Sequence, residues 1–209
     1  MSSLILIALC LLKADATTWN FDSATEGELP KGWTAAKTGE GPGSVWKIML
    51  DGKQKVMAQT SAEGGKGFFN VCVVNEPKLA DLEISVEIKP IAGKTDQGGG
   101  PIWRYQDANN YYVCRWNPLE DNFRLYQVIN GHRTQMDHAD LKASKDEWHT
   151  IRIVHEGHRI HGYFDGQRLL EAEDNAIMSA GQVGLWSKAD AVTYFKDISV
   201  KDLSVKTAK

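Results

Sequence analysis

The sequence predicts an all-β protein, folded as a two-sheet antiparallel jelly-roll sandwich. Helical periodicity is almost absent from the chain. Apolar and polar residues instead alternate with a period of two, in short segments that recur about every eight to twelve residues between clusters of Gly, Pro, Asn and Asp. About a dozen such segments are too many for one open twisted sheet, so we expect two sheets packed face to face.

The clearest half-buried strand is 82–88, in which aliphatic residues at even positions alternate with polar residues at odd positions. Asn130-Gly131 and Asp165-Gly166 are two-residue hairpin signals, because both positions of such a turn favour positive φ. The predicted strands, in order, are 19–21, 45–48, 55–58, 68–74, 82–88, three strands within 98–128, 132–136, 148–154, 159–164, 168–172, 181–186 and 194–200.

The amino-terminal segment resembles a secretory signal peptide. Residues 4–12 form an apolar run, and Ala14-Asp15-Ala16 supplies an A-x-A cleavage pattern. Such a run is too short to span a bilayer core of about 30 Å, so we expect no membrane insertion after cleavage. The prediction is a signal peptide at 1–16, a single jelly-roll domain at 17–209, and a secreted or periplasmic location.

Charge and cysteine content narrow the function classes. The net charge of −3 and pI near 6.1 give no basic excess, so nucleic acid is not an expected partner. Cys72 and Cys114 lie in apolar strand segments, which favours core packing, with one disulfide left as the alternative for an exported chain.

The three central strands predict a polar face. If Tyr112, Cys114 and Trp116 point into the core, alternate residues point away from it. Arginine forks and tyrosine rings suit hydroxyl-rich or carboxylate-bearing glycans, although a solvated sheet face is the alternative. The candidate ligand-binding residues are Arg104, Tyr111, Arg115, Asn117, Arg124 and Tyr126, with Trp186 as a weaker candidate.

Glu83 and Glu87 are the candidate catalytic residues. A retaining glycosidase needs two carboxyl groups about 5 to 5.5 Å apart. Glu83 and Glu87 are four residues apart on one predicted strand, or about 13 Å at 3.3 Å per residue. This spacing favours a polar strand whose acids pair with Arg104 or Arg115.

The sequence predicts no metal centre and no cofactor. His155, His158 and His161 lie around a predicted turn at Gly157 and do not form an H-E-x-x-H helix motif. Turn-forming aspartates leave room for a structural calcium ion, the available acids being Asp22, Asp96, Asp107 and Asp197.

Four segments carry a resemblance to the concanavalin A-like lectin/glucanase superfamily. They are GGGPIWRYQDANNYYVCRWN at 98–117, EWHTIRI at 147–153, IHGYFDGQRLLEAED at 160–174 and GQVGLWSKADAVTYFKDISV at 181–200. Within the superfamily, the chain is most similar to secreted bacterial laminin-G-like domains and to the 3-keto-disaccharide hydrolase domain, which is family 16 glycosidase-like. The resemblance implies a curved jelly roll whose concave sheet meets carbohydrate.

Three functions follow as expectations. The first is a secreted, lectin-like domain that binds a glycan or oligosaccharide on its concave sheet. The second is a glycoside hydrolase of the 3-keto-disaccharide hydrolase type, with Glu83 or Glu87 as acid/base. The third is a cell-surface interaction module, which would present an apolar patch at an edge or loop.

Overall fold

The computed structural model describes residues 16–204, which fold into fifteen β-strands without a helix. The strands are β1 (Thr17–Trp19), β2 (Trp33–Thr38), β3 (Trp46–Asp51), β4 (Gln54–Gln59), β5 (Phe69–Val74), β6 (Leu82–Ala92), β7 (Gly100–Asp107), β8 (Asn110–Asn117), β9 (Asn122–Ile129), β10 (His132–Asp140), β11 (His149–Glu156), β12 (Arg159–Phe164), β13 (Gln167–Glu173), β14 (Gln182–Lys188) and β15 (Val192–Asp202).

These strands form two antiparallel sheets. Sheet A has the order β13-β12-β11-β6-β15-β4-β3, and β1 adds to the far end of β15. Sheet B has the order β10-β9-β8-β7-β14-β5-β2. The two sheets face each other across the main core, so the predicted all-β jelly-roll sandwich is confirmed.

Alternation along the strands determines which side chains fill the core. On β6, Leu82, Ile84, Val86 and Ile88 are completely buried, whereas the residues between them remain partly exposed. The inner face of sheet B adds large aromatic residues such as Trp103 and Trp116. Cys72 and Cys114 are free thiols in this core, and burial raises the pKa of both.

Sheet B is strongly curved, and its outer face is concave. Five strand spacings separate β10 from β5, which would be about 24 Å in a flat sheet. The guanidinium carbon of Arg133 on β10 nevertheless lies 5.0 Å from the centre of the Phe69 ring on β5. Likewise, Thr38 on β2 and Tyr111 on β8 approach to 2.8 Å between their hydroxyl oxygens. The curvature therefore encloses the outer face of sheet B between its own edges.

Enclosure of the concave face explains an apolar pattern that alternation alone does not. Every residue of β5 is buried, and so is every residue of β8 after Asn110. Strands covered on both faces become continuously apolar. The concave face consequently carries a second apolar cluster, formed by Phe69, Val71, Val73, Ile102, Tyr111, Val113, Tyr126, Val128 and Trp186.

The strand prediction missed β2, the edge strand WTAAKT that pairs with β5. The predicted signal peptide lies almost entirely outside the described residues and stays a prediction. None of residues 16–204 belongs to a helix long and apolar enough to cross a membrane.

Candidate functional site on the concave face of sheet B

Arg133 lies at the centre of the concave face, on top of three aromatic rings. Its guanidinium carbon lies 4.2 Å from the centre of the Tyr126 ring, 5.0 Å from that of Phe69 and 5.6 Å from that of Trp186. Burial is the main cause of a lowered pKa for this guanidinium, with nearby Arg115 acting in the same direction. Arg133 is not among the predicted site residues; it reaches Tyr126 from the adjacent strand, but it reaches Phe69 and Trp186 only through the curvature of the sheet.

A buried network of charges fixes Arg115 beside it. Nη1 of Arg115 lies 3.2 Å from Oδ2 of Asp96, and Nη2 donates to Glu120 at 2.7 Å and to Asn122 at 2.9 Å. Asp96 also accepts a hydrogen bond from Lys188 at 2.8 Å. Asp96 and Lys188 were likewise absent from the predicted binding site, since they are distant in sequence from Arg115, and so was Glu120, which lies in the turn between β8 and β9.

The loop that carries Asp96 is itself held by Asp190. The carboxylate of Asp190 accepts backbone N–H groups of Lys94, Thr95 and Asp96 at 2.8 to 3.1 Å. Burial acts to raise the pKa of Asp190, but these backbone hydrogen bonds outweigh it and lower the pKa. Asp190 thereby positions the Asp96 carboxylate against Arg115.

Arg124 completes the cationic group at the rim. It is the direct cross-strand partner of Arg115, so the two side chains share the concave face. Its Nη1 lies 3.6 Å from Glu120, and about a third of its side chain is exposed. Arg115, Arg124 and Arg133 are called the arginine cluster below.

Glu120 stays ionised within this cluster. Partial burial acts to raise its pKa, but hydrogen bonds from Asn122 and Arg115 and the charges of Arg115 and Arg124 lower the pKa to about 2. A carboxylate with so low a pKa is a weak general base near neutral pH.

Several buried polar atoms of the concave face have no hydrogen-bond partner among the described residues. They are Nε of Arg115, Nε of Arg124, Nη1 of Arg133 and the hydroxyl of Tyr126. Buried polar groups are nearly always satisfied, by protein, by water or by a ligand. All three guanidinium atoms are donors only, so a partner for them must supply acceptor oxygens.

Arg104 does not join this face, contrary to the prediction. Its φ is +46°, and the β7–β8 register shifts between Trp103 and Asp107, so the side chain leaves the expected alternation. The buried guanidinium donates to the backbone carbonyls of Ala80, Ile177 and Gly157 at 2.7 to 2.8 Å. Arg104 therefore links three loops near the core instead of facing a ligand.

Tyr111, Asn117 and Trp186 lie on the predicted side of sheet B, but they are buried and have their own partners. Trp186 donates Nε1–H to the Tyr111 hydroxyl at 3.3 Å, and the Asn117 amide donates to Asp96 at 3.0 Å. The prediction that these side chains form an exposed surface for stacking on sugars is therefore wrong. The curvature of sheet B covers the rings, which instead form a buried layer beneath Arg133.

Glu83 and Glu87 lie on the other sheet, away from the concave face. They project from the outer face of sheet A, where Glu83 pairs with Arg152 and Glu87 with Lys196, each at 3.1 Å. The predicted pairing with Arg104 or Arg115 is wrong, since strand order places β6 beside β11 and β15. The structure therefore gives Glu83 and Glu87 no place in a cleft with the arginine cluster.

The histidines of HEGHRIH separate into a core and a surface group. His155 is buried and accepts the Trp103 indole N–H at 2.8 Å, whereas His158 and His161 lie 3.7 and 3.5 Å from Glu173 and Glu171. Within residues 16–204, no three His, Cys, Asp or Glu side chains are arranged to hold a metal ion. A structural calcium ion stays a prediction.

Solved structures share this architecture at low sequence identity. The carbohydrate-binding module CBM66 from Bacillus subtilis has a TM-score of 0.66 at 19% identity, over 82% of this chain and 96% of that one. A galectin-like protein of unknown function from the same organism has a TM-score of 0.62 at 12% identity, over 82% and 90%. Domain 4 of AbnA, an extracellular arabinanase from Geobacillus stearothermophilus solved with arabinotriose, has a TM-score of 0.59 at 12% identity, over 90% and 93%. At these identities the likeness shows the fold alone.

No curated protein matches the sequence. A family model does match, and it spans residues 20–201, which include every strand from β2 to β14 and nearly all of β15. The resemblance to 3-keto-disaccharide hydrolase domains is thereby confirmed, and the chain belongs to the family of 3-keto-alpha-glucoside-1,2-lyase-like domains.

Proposed function

We propose that the protein binds carbohydrate on the concave face of sheet B. The observation that carries the proposal is the arginine cluster, whose members Arg124 and Arg133 are partly exposed, lying over an aromatic floor. Sugars offer many acceptor oxygens, and fixed donors recognise them with a defined geometry. Arg124 at the rim and Arg133 are the accessible members of this set.

The shared architecture supports the proposal. CBM66 is a carbohydrate-binding module, and the arabinanase domain was solved with arabinotriose. The signal peptide predicted at residues 1–16 would export the chain, and an exported domain would encounter extracellular glycans.

A glycan panel measured by isothermal titration calorimetry tests this function. The test variant is the double substitution Arg124→Gln, Tyr126→Phe, which removes a partly exposed cation and an unpartnered hydroxyl. The matched control is Arg152→Gln on the outer face of sheet A. Arg152 resembles Arg124 in exposure, pairs with a glutamate and stacks at 3.6 Å on Tyr163. We expect the double variant to lose at least tenfold in affinity and the control to bind like the wild type; equal loss in both would contradict the proposal.

The family match favours a second candidate, cleavage of 3-keto-glucosides. Such a reaction needs a general base near the substrate, and the ionised Glu120, with its pKa near 2, is poorly suited. Incubating the protein with 3-keto-α-glucosides and following product release separates the two functions. Catalytic turnover that is lost in Arg124→Gln would make the concave face an active site.

The exposed large apolar side chains bear on the interaction-module alternative. These side chains come from four separate segments of the chain. They are Val45 and Leu50 at or next to β3, Ile91 near the end of β6, and Leu119 and Met178 in two loops. Exposed apolar residues are common on soluble proteins, so their presence alone does not indicate a docking surface.

A further inference from the structure

We infer that the concave face recognises an acidic sugar, with the carboxylate of a hexuronate residue directed at the arginine cluster. This inference rests on the proposed function and names the substrate class of that site. Its starting point is Arg133, which forms no ion pair and donates no side-chain hydrogen bond to any other residue of 16–204.

An unpaired, largely buried cation is an unfavourable feature of a fold. Burying an ion without a partner costs free energy, and such a group is usually paired or shifts its pKa. The pKa of Arg133 is lowered mainly by burial, yet arginine remains protonated at physiological pH. Stacking on Tyr126, Phe69 and Trp186 compensates for part of the lost hydration, but it satisfies no N–H group. A bound anion would compensate the guanidinium charge, for which no residue of 16–204 provides an ion pair.

The charge balance of the surrounding groups points in the same direction. Three cations, Arg115, Arg124 and Lys188, pair with the two carboxylates Asp96 and Glu120, and Arg133 adds a further positive charge without an ion pair of its own. Asp96 and Glu120 are already engaged by Arg115, Lys188 and Asn122. Asp96 interacts favourably with Arg133 through its charge, but no carboxylate within residues 16–204 forms an ion pair with Arg133.

The geometry of the donors favours a planar carboxylate. The guanidinium groups of Arg115 and Arg133 both lie against the Tyr126 ring, at 5.9 and 4.2 Å from its centre, and Arg124 is the cross-strand neighbour of Arg115. Arginine forks match the two oxygens of a carboxylate. A neutral sugar would leave the excess charge in place.

Matched pairs of oligosaccharides test this inference. The probes are trigalacturonate and a β-1,4-linked glucuronate trisaccharide, each paired with its carboxyl-reduced counterpart, which keeps the ring and linkage but carries no charge. We expect at least tenfold tighter binding of one acidic member over its neutral partner. We also expect that preference to weaken between 50 and 500 mM NaCl, because salt screens the charge interaction. Inorganic sulfate and a sulfated trisaccharide are the competing anions.

The variant Arg133→Gln should abolish the preference for the acidic sugar and keep any affinity for the neutral one. Arg168→Gln, on an exposed edge strand of sheet A, is the control and should retain the preference. If Arg133→Gln does not fold, Arg124→Gln replaces it at the rim. Equal binding of acidic and neutral sugars, or preference for the sulfated trisaccharide, would overturn the inference and leave the proposed function intact. Failure to bind any sugar would overturn both.

Discussion

Asp96 and Arg115 form an ion pair of 3.2 Å from which solvent is almost completely excluded. Each side chain is about 1% exposed, although Asp96 comes from the loop between β6 and β7 and Arg115 from the middle of β8. Because Asp96 is also bound by Lys188 and Asn117, one carboxylate fixes the position of three side chains beneath the proposed binding surface.

Asp96→Asn should destabilise the protein substantially. The substitution keeps the shape of the side chain but leaves Arg115 and Lys188 without their shared counter-charge, and breaking a buried pair from one side costs about 3 to 5 kcal/mol. Urea denaturation at pH 7 measures the change. Glu173→Gln is the control, since its carboxylate is 65% exposed and pairs loosely with Arg159 at 3.5 Å, and it should cost less than about 1 kcal/mol. A loss in Asp96→Asn no larger than in this control would show that the pair is not essential.

Glu120→Gln should have an effect on stability that depends on pH. The pKa of Glu120 is about 2 in the folded protein against an ordinary value of 4.5, so the folded state favours the charged form. Its stabilising contribution is therefore present above pH 4.5 and is lost as the pH falls towards 2. The difference in unfolding free energy between wild type and Glu120→Gln should shrink over this window.

Denaturant melts at several pH values between 7 and 2 measure the Glu120 effect. Asp121→Asn removes the same formal charge from the same turn but leaves the ion pairs of Arg115 in place. At pH 7 it should change the free energy of unfolding by less than about 0.5 kcal/mol. A wild-type advantage over Glu120→Gln that stays constant down to pH 2 would be inconsistent with the ion pairs.

How much of this arrangement the sequence could predict depends on how local each feature is. Period-two alternation correctly placed Arg115 and Arg124 on one face, because β8 and β9 are a hairpin and their register is set locally. Arg104 escaped the pattern, since a positive φ within β7 has no clear signal in GPIWRYQ. The Asn130-Gly131 hairpin also pairs Arg133 with Val128, so alternation extended by one strand places Arg133 on this face. Its contact with Phe69 could not be predicted, because that contact depends on the curvature accumulated over five strand spacings.

His155 should make the wild type lose stability in acid. Burial, and to a lesser extent the charge of Arg104, lowers the pKa of His155 to about 3 from an ordinary value of 6.5. Between pH 6.5 and 3, His155 is therefore protonated in the unfolded chain but not in the folded protein, so stability falls as the pH drops through this range. Relative to His155→Gln, the wild type should lose up to about 4 kcal/mol over this window.

Glutamine at 155 keeps an acceptor oxygen for the Trp103 indole, so the variant tests protonation more than packing. Chemical denaturation at pH 7, 5.5 and 4 follows the difference between the two proteins. If that difference does not change with pH, the imidazole is not buried in its neutral form.

Gly100→Ala should disrupt the centre of sheet B. A Cβ at position 100 would lie 2.1 Å from the backbone oxygen of Cys114, a contact that only separation of β7 from β8 can relieve. Overpacking of this kind typically costs about 1 to 3 kcal/mol, and here the backbone itself must move. Gly65→Ala is the matched control, because a Cβ at position 65 meets nothing within 4 Å. We expect Gly100→Ala, but not Gly65→Ala, to lower the denaturation midpoint. We also expect Gly100→Ala to weaken glycan binding, since β8 carries Arg115. Equal midpoints for the two variants would mean that the strands can separate at little cost.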